Sequence, residues 1–166
     1  MQAFLWIVVV HLLNSHGFVV HNSSLARISP HEFEIAIEGK DYFIEKIDRE
    51  RSKITVDAEA IKVFIYHEDM PIELNLNLYD KSVLAKGPVV YRIPDDNHAK
   101  IVADLNFFDK KRESSRVNKR IVFRKGEIRI TKISSGSLVM AFDGEGSGMM
   151  EKENGFVIKG RVDASF

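Results

Sequence analysis

The sequence predicts an all-β chain, an antiparallel β-sandwich of about ten strands with an up-and-down lipocalin-like barrel as the alternative closure. Three observations predict it. Beyond residue 30 the apolar residues recur with a period of two, turn residues punctuate the chain at short intervals, and helical periodicity is largely absent.

The elements follow in order. Phe33, Ile35 and Ile37 alternate with Glu34, Ala36 and Glu38, Gly39-Lys40-Asp41 turns the chain, and Tyr42 to Ile44 begins a second strand. Ile54 to Val56 and Ile61 to Tyr66 come next, ended by Met70-Pro71. Ile72, Leu74, Leu76 and Leu78 alternate with Glu73, Asn75, Asn77 and Tyr79, the cleanest strand pattern in the chain. Lys86-Gly87-Pro88 is a turn before Val89 to Ile93, and Pro94-Asp95-Asp96-Asn97 is another before Ala99 to Phe107. Residues 109–120 read as a charged loop. Ile121 to Phe123, Glu127 to Ile133, Ser137 to Phe142 and Phe156 to Phe166 complete the series, with Asp143 to Gly148 read as a glycine-rich hairpin turn.

The first 26 residues carry no Lys, Arg, Asp or Glu, and Ala3 to Leu13 is apolar except for His11. Such a run is short for a transmembrane helix and suits a secretory leader, with Ser15 and Gly17 flanking a cleavage point. The expectation is a signal peptide over 1–17 and one domain over 18–166, exported to the periplasm or beyond, with no transmembrane segment in the mature chain. The alternative is that Phe4 to Leu13 is a buried element of the domain itself.

Lys plus Arg total 24 and Asp plus Glu total 24, so no global field steers the chain to nucleic acid. With no cysteine there is no disulfide framework, thiolate metal site, cysteine nucleophile or lipobox. Glycine-bearing elbows, P-loops and H-E-x-x-H stretches are absent, and no cofactor is expected.

Arg124 to Ile133, Gly136 to Gly146 and Val157 to Phe166 form a linked series. It resembles the closing strands of certain uncharacterised secreted or lipid-anchored β-sandwich domains of Bacteroidetes. There, a strand ending in an Ile-Thr-Lys-Ile-like stretch precedes a Gly-bearing hairpin and a final strand ending in an aromatic residue. Phe33 to Tyr42 resembles the opening hairpin of that group, and Ile72 to Tyr91 its middle strands. The resemblance implies export and a sandwich fold, and implies no activity.

Two surface features point to ligands. Lys110, Lys111, Arg112, Arg116, Lys119 and Arg120 concentrate positive charge that suits sulfate, phosphate or carboxylate groups, or that merely solvates a loop. Tyr66 and Tyr79 fall on the polar phase of their strands, where an aromatic ring can stack on a sugar. The leading expectation is a non-enzymatic envelope module that binds a glycan or polyanion, or packs against an envelope protein. A glycan hydrolase drawing a carboxylate pair from Asp95, Asp96, Asp143 and Glu145 is one alternative, and a carrier of small hydrophobic ligands is another.

Overall fold

The computed structural model describes residues 31–94, 101–112 and 119–166. The expected leader over 1–17, the paired acids Asp95 and Asp96, and Arg116 lie outside the described residues.

Among the described residues, ten strands form one antiparallel sheet curled into a half-barrel. They are β1 (Phe33–Ile37), β2 (Lys40–Ile44), β3 (Lys53–Val56), β4 (Ile61–Ile65), β5 (Ile72–Leu78), β6 (Val89–Ile93), β7 (Ala103–Asp109), β8 (Arg120–Ser134), β9 (Ser137–Gly148) and β10 (Phe156–Ser165). The order across the sheet is β2-β1-β10-β9-β8-β7-β5-β4-β3. β8 is long enough to take two partners on one side: its first residues pair with β7, and Gly126 to Ile130 pair with β6. Among the described residues no helix is long and apolar enough to cross a membrane.

Alternation decides which face is buried. In β5, Ile72, Leu74, Leu76 and Leu78 are buried while Glu73, Asn75 and Asn77 are half-exposed. The same phase in β1, β4, β7, β8, β9 and β10 sends Ile35, Val63, Leu105, Ile128, Met140 and Val162 to one continuous core. The segment between β2 and β3 ties the two ends of the sheet together: the Asp48 N–H donates to the Tyr66 carbonyl at 3.1 Å, and the Tyr66 N–H donates to Ser52 Oγ at 2.9 Å.

Four local expectations change. The first hairpin turns at Glu38 and Gly39, with φ of 55° and 75°, and Lys40 already belongs to β2. Two positive φ values in a two-residue loop match the twist of the flanking strands. The strands expected at Ile121 to Phe123 and Glu127 to Ile133 are one strand, carried past two bulges near Arg124 and Thr131. Asp143 to Gly148 is not a turn but the continuation of β9. Its glycines serve close approach: a Cβ on Gly144 would collide with the Lys125 carbonyl oxygen, and one on Gly146 with Ile158 Cδ1. Finally, a 3₁₀ turn at Lys81–Leu84, capped by the Asp80 carboxylate, lies between β5 and β6.

Candidate functional site

The outward phase of β2, β1, β10, β9, β8 and β6 is brought into two cross-strand rows by the registers. One row runs Phe43, Glu34, Arg161, Ala141, Arg129, Val90; the next runs Asp41, Ala36, Lys159, Asp143, Glu127, Arg92. Except for Val90 and Arg92, they line a groove of about 490 Å³ on the face opposite the core. Its floor is low because Ala36, Ala141 and Gly160 carry little or no side chain. Gly160 cannot be enlarged, since a Cβ there would collide with the Glu34 carbonyl oxygen and come within 2.7 Å of the Phe142 ring. Phe43, 54% exposed, stands at the edge, its ring centroid 5.2 Å from that of His31.

The charged walls divide into committed and uncommitted groups. Arg161 Nε lies 3.4 Å from Glu34, and Glu127 accepts from Arg92 at 3.1 Å with Arg129 at 4.0 Å. Asp41, Lys159 and Asp143 have no ion pair or side-chain hydrogen bond among the described residues, although they share one row and Lys159 is directly opposed to Asp143. An ammonium donor and a carboxylate acceptor side by side, both open, can hold a hydroxyl that accepts from one and donates to the other.

The sequence-predicted residues lie elsewhere. Lys110 Nζ is 3.1 Å from Glu73 and 4.1 Å from the Tyr66 ring centroid. Arg112 reaches Glu151 at 2.9 Å and Glu38 at 3.4 Å, and packs over Phe156. Lys119 Nζ donates to the Lys110 carbonyl at 3.2 Å, while Arg120 donates to Asn106 at 3.1 Å and lies 3.8 Å from Asp104. Lys111 is exposed. The structure therefore joins Lys110 to Tyr66 and Lys119 to Lys110, but turns Arg112 to Glu151 and Glu38 and Arg120 to β7 rather than gathering the cations into one site. The Tyr66 hydroxyl accepts from Arg51 at 2.7 Å and its ring has both Arg51 and Lys110 at 4.1 Å, so its faces are already occupied by cations. Tyr79 is 48% exposed, outside the groove.

Of the two acids singled out that are described, Asp143 lines the groove, opposite Glu127, and Glu145 opposes Lys125. Phe43 is the aromatic residue that sequence reasoning missed. Its signal is the unbroken run Tyr42-Phe43-Ile44: a strand alternates faces, so the middle member had to leave the core. Among the described residues no three His, Asp or Glu side chains converge to hold a metal ion. Comparison with known proteins finds no family model, no curated protein and no solved structure that matches this chain.

Proposed function

We propose that this chain is a non-enzymatic glycan-binding module of the cell envelope, and that the groove across β2, β1, β10, β9 and β8 takes a neutral sugar chain. The observation that carries the reading is the open Lys159–Asp143 pair beside a floor of Ala36, Ala141 and Gly160, with Phe43 at the edge. Sugar hydroxyls are recognised by planar or charged groups that donate and accept together, and C–H faces by aromatic rings. Four carboxylates face three cations in the groove, which favours an uncharged ligand over a polyanion. Seven charged side chains on its walls favour hydroxyl-rich ligands over the apolar ligand of a carrier. One continuous ladder of ten strands supports reading the sheet as an open barrel rather than as two stacked sheets. Export rests on the uncharged apolar stretch Ala3 to Leu13, and an intact mass lacking residues 1–17 in a periplasmic fraction is the expected result.

Affinity electrophoresis in neutral and sulfated polysaccharides tests the groove. Lys159→Ala, Asp143→Asn and Phe43→Ala are each expected to weaken retardation by a neutral polymer about tenfold, the size of one lost hydrogen bond or ring contact. Lys111→Ala and Tyr79→Ala leave it unchanged. Retardation only in the sulfated gel, or none at all, rejects the reading.

One observation favours a second reading, glycan hydrolysis. Asp143 and Glu127 are directly opposed across β9 and β8. Opposed Cβ atoms lie about 5 Å apart, a spacing that allows two carboxyls to flank a glycosidic bond. Release of reducing ends, lost in Asp143→Asn and Glu127→Gln, separates this reading from simple binding.

A further inference from the structure

Residues 149–155 join β9 to β10, and this loop is fastened near both ends. Arg112 reaches Glu151 at 2.9 Å and packs over Phe156, and Phe156 opposes Gly146 as the first pair between β10 and β9. Between these anchors Lys152, Glu153, Asn154 and Gly155 are exposed. The Asn154 N–H donates to the Glu151 carbonyl at 3.1 Å, but among the described residues neither the Asn154 side chain nor the Gly155 N–H makes a hydrogen bond.

Asn154-Gly155 is the one Asn-Gly step in the sequence. Glycine has no Cβ to shield its nitrogen or to restrict φ, so that nitrogen can swing onto the carboxamide carbon of the residue before it. Space surrounds the step, since even an added Cβ on Gly155 would meet nothing closer than the Gly146 carbonyl oxygen at 3.9 Å. The other described asparagines lack these conditions: Asn75, Asn77 and Asn106 lie inside β5 and β7 and precede the buried Leu76, Leu78 and Phe107. Asp143-Gly144 has suitable residues in the wrong setting. Asp143 pairs with Lys159 and Glu127, and Gly144 with Ile158 and Gly126, so strands on both sides hold that backbone and a collapse there must break the ladder.

We propose that Asn154 is a modification site at which the folded chain deamidates itself, with water as the only other reactant. The Gly155 nitrogen attacks Cγ of Asn154. The new N–Cγ bond forms as the Cγ–Nδ2 bond breaks, and the amide nitrogen leaves as ammonia with the Gly155 proton. One water then opens the cyclic imide at either carbonyl, leaving an aspartate or its β-linked isomer at position 154, and nothing is oxidised or reduced. Lys and Arg total 24 and Asp and Glu total 24, so each event takes a chain of zero formal charge to one negative charge. The β-linked product also adds a backbone methylene before Phe156, where a loop between two anchors absorbs it. The inference goes beyond the glycan reading and does not depend on it.

Isoelectric focusing of the full chain after prolonged incubation tests it, with peptide mass mapping to place the change. A band shifted by one charge to the acidic side is expected to grow with time and to co-migrate with Asn154→Asp. It should grow faster at pH 9 than at pH 6, because the attacking nitrogen must lose its proton. The peptide holding residue 154 is expected to gain about 1 Da. Gly155→Ala should slow the change about tenfold by crowding the attacking nitrogen, and Asn154→Ala should abolish it, both with the circular dichroism unchanged. If either variant does not fold, the mass map of the parent chain decides alone. In urea, where the ladder is lost, Asp143-Gly144 is expected to isomerise as well. No acidic band at pH 9, a band that persists in Asn154→Ala, or isomerisation at Asp143 as fast as the change at Asn154 in the folded chain overturns the proposal.

Discussion

Tyr91, on β6, is 6% exposed, and its hydroxyl has no hydrogen-bond partner among the described residues. Burial, reinforced by the negative charge of Asp80, pushes its phenol up to about 12. At neutral pH both folded and unfolded chains keep this proton, so the residue is silent there. As pH rises past 10 the unfolded chain ionises first, and stability is expected to fall by about 2 kcal/mol by pH 12. Tyr91→Phe removes an unpartnered polar atom at little cost in shape. Its urea midpoint should match or exceed that of the parent at pH 7, with a smaller loss at high pH. A parent and variant that decline in parallel above pH 10 would assign the alkaline loss to other groups. At this scale the sequence placed Tyr91 in the strand Val89 to Ile93, but nothing local foretold an orphaned hydroxyl, because the partners of a phenol come from other strands.

The bulges of β8 are the decisive local device. Arg124 occupies the first, where its Nε donates to Ser147 Oγ at 2.8 Å and its Nη2 to the Met149 carbonyl at 3.1 Å. The guanidinium thereby fastens the extra residue of β8 to the end of β9, where Ser147 is 1% exposed. Arg124→Ala is expected to lower stability by about 1–3 kcal/mol in urea unfolding, with Arg124→Lys recovering only part of it because an ammonium lacks the planar fork. Equal stability of all three proteins would show that the bulge is held by its backbone alone. Most strands were legible because alternation with one wet face is a strong signal: β6 has the boundaries its pattern predicts, and β5 starts where predicted and ends one residue earlier, at Leu78. The joining of two short strands into β8 and the extension of β9 through Gly148 were not. Glycine reads as a turn in isolation, whereas Gly144 and Gly146 are here because backbones and side chains from β8 and β10 approach too closely for a Cβ.

On the scale of the whole molecule, β10, the last described strand, pairs with β1, the first described strand, on one side and with β9 on the other. Val162, Ile158 and Ala164 also carry the core across that seam. Deleting residues 156–166 is therefore expected to abolish the cooperative thermal transition, rather than to trim a dispensable edge. A truncated chain that still melts sharply would mean that β1 and β2 fold without it. Pairing the first described strand with the last also closes a long loop before any reward, so refolding is expected on the millisecond-to-second scale in stopped-flow fluorescence.

The sequence by itself determined that this is an antiparallel β chain, where most strands lie and which face of each is buried, because alternation is a property of neighbouring residues. It also showed that no global charge directs the protein to a polyanion. Only the tertiary structure decided which strands are neighbours, and with that which side chains meet. Lys110, Arg112 and Arg120 formed one cluster in the chain and are drawn to acids in different parts of the sheet, since the fold places Glu73 of β5, Glu151 between β9 and β10, and Asp104 of β7 within their reach. Phe43, Lys159 and Asp143 are far apart in the chain and share one groove, because register across β2, β1, β10 and β9 converts distant positions into adjacent rows.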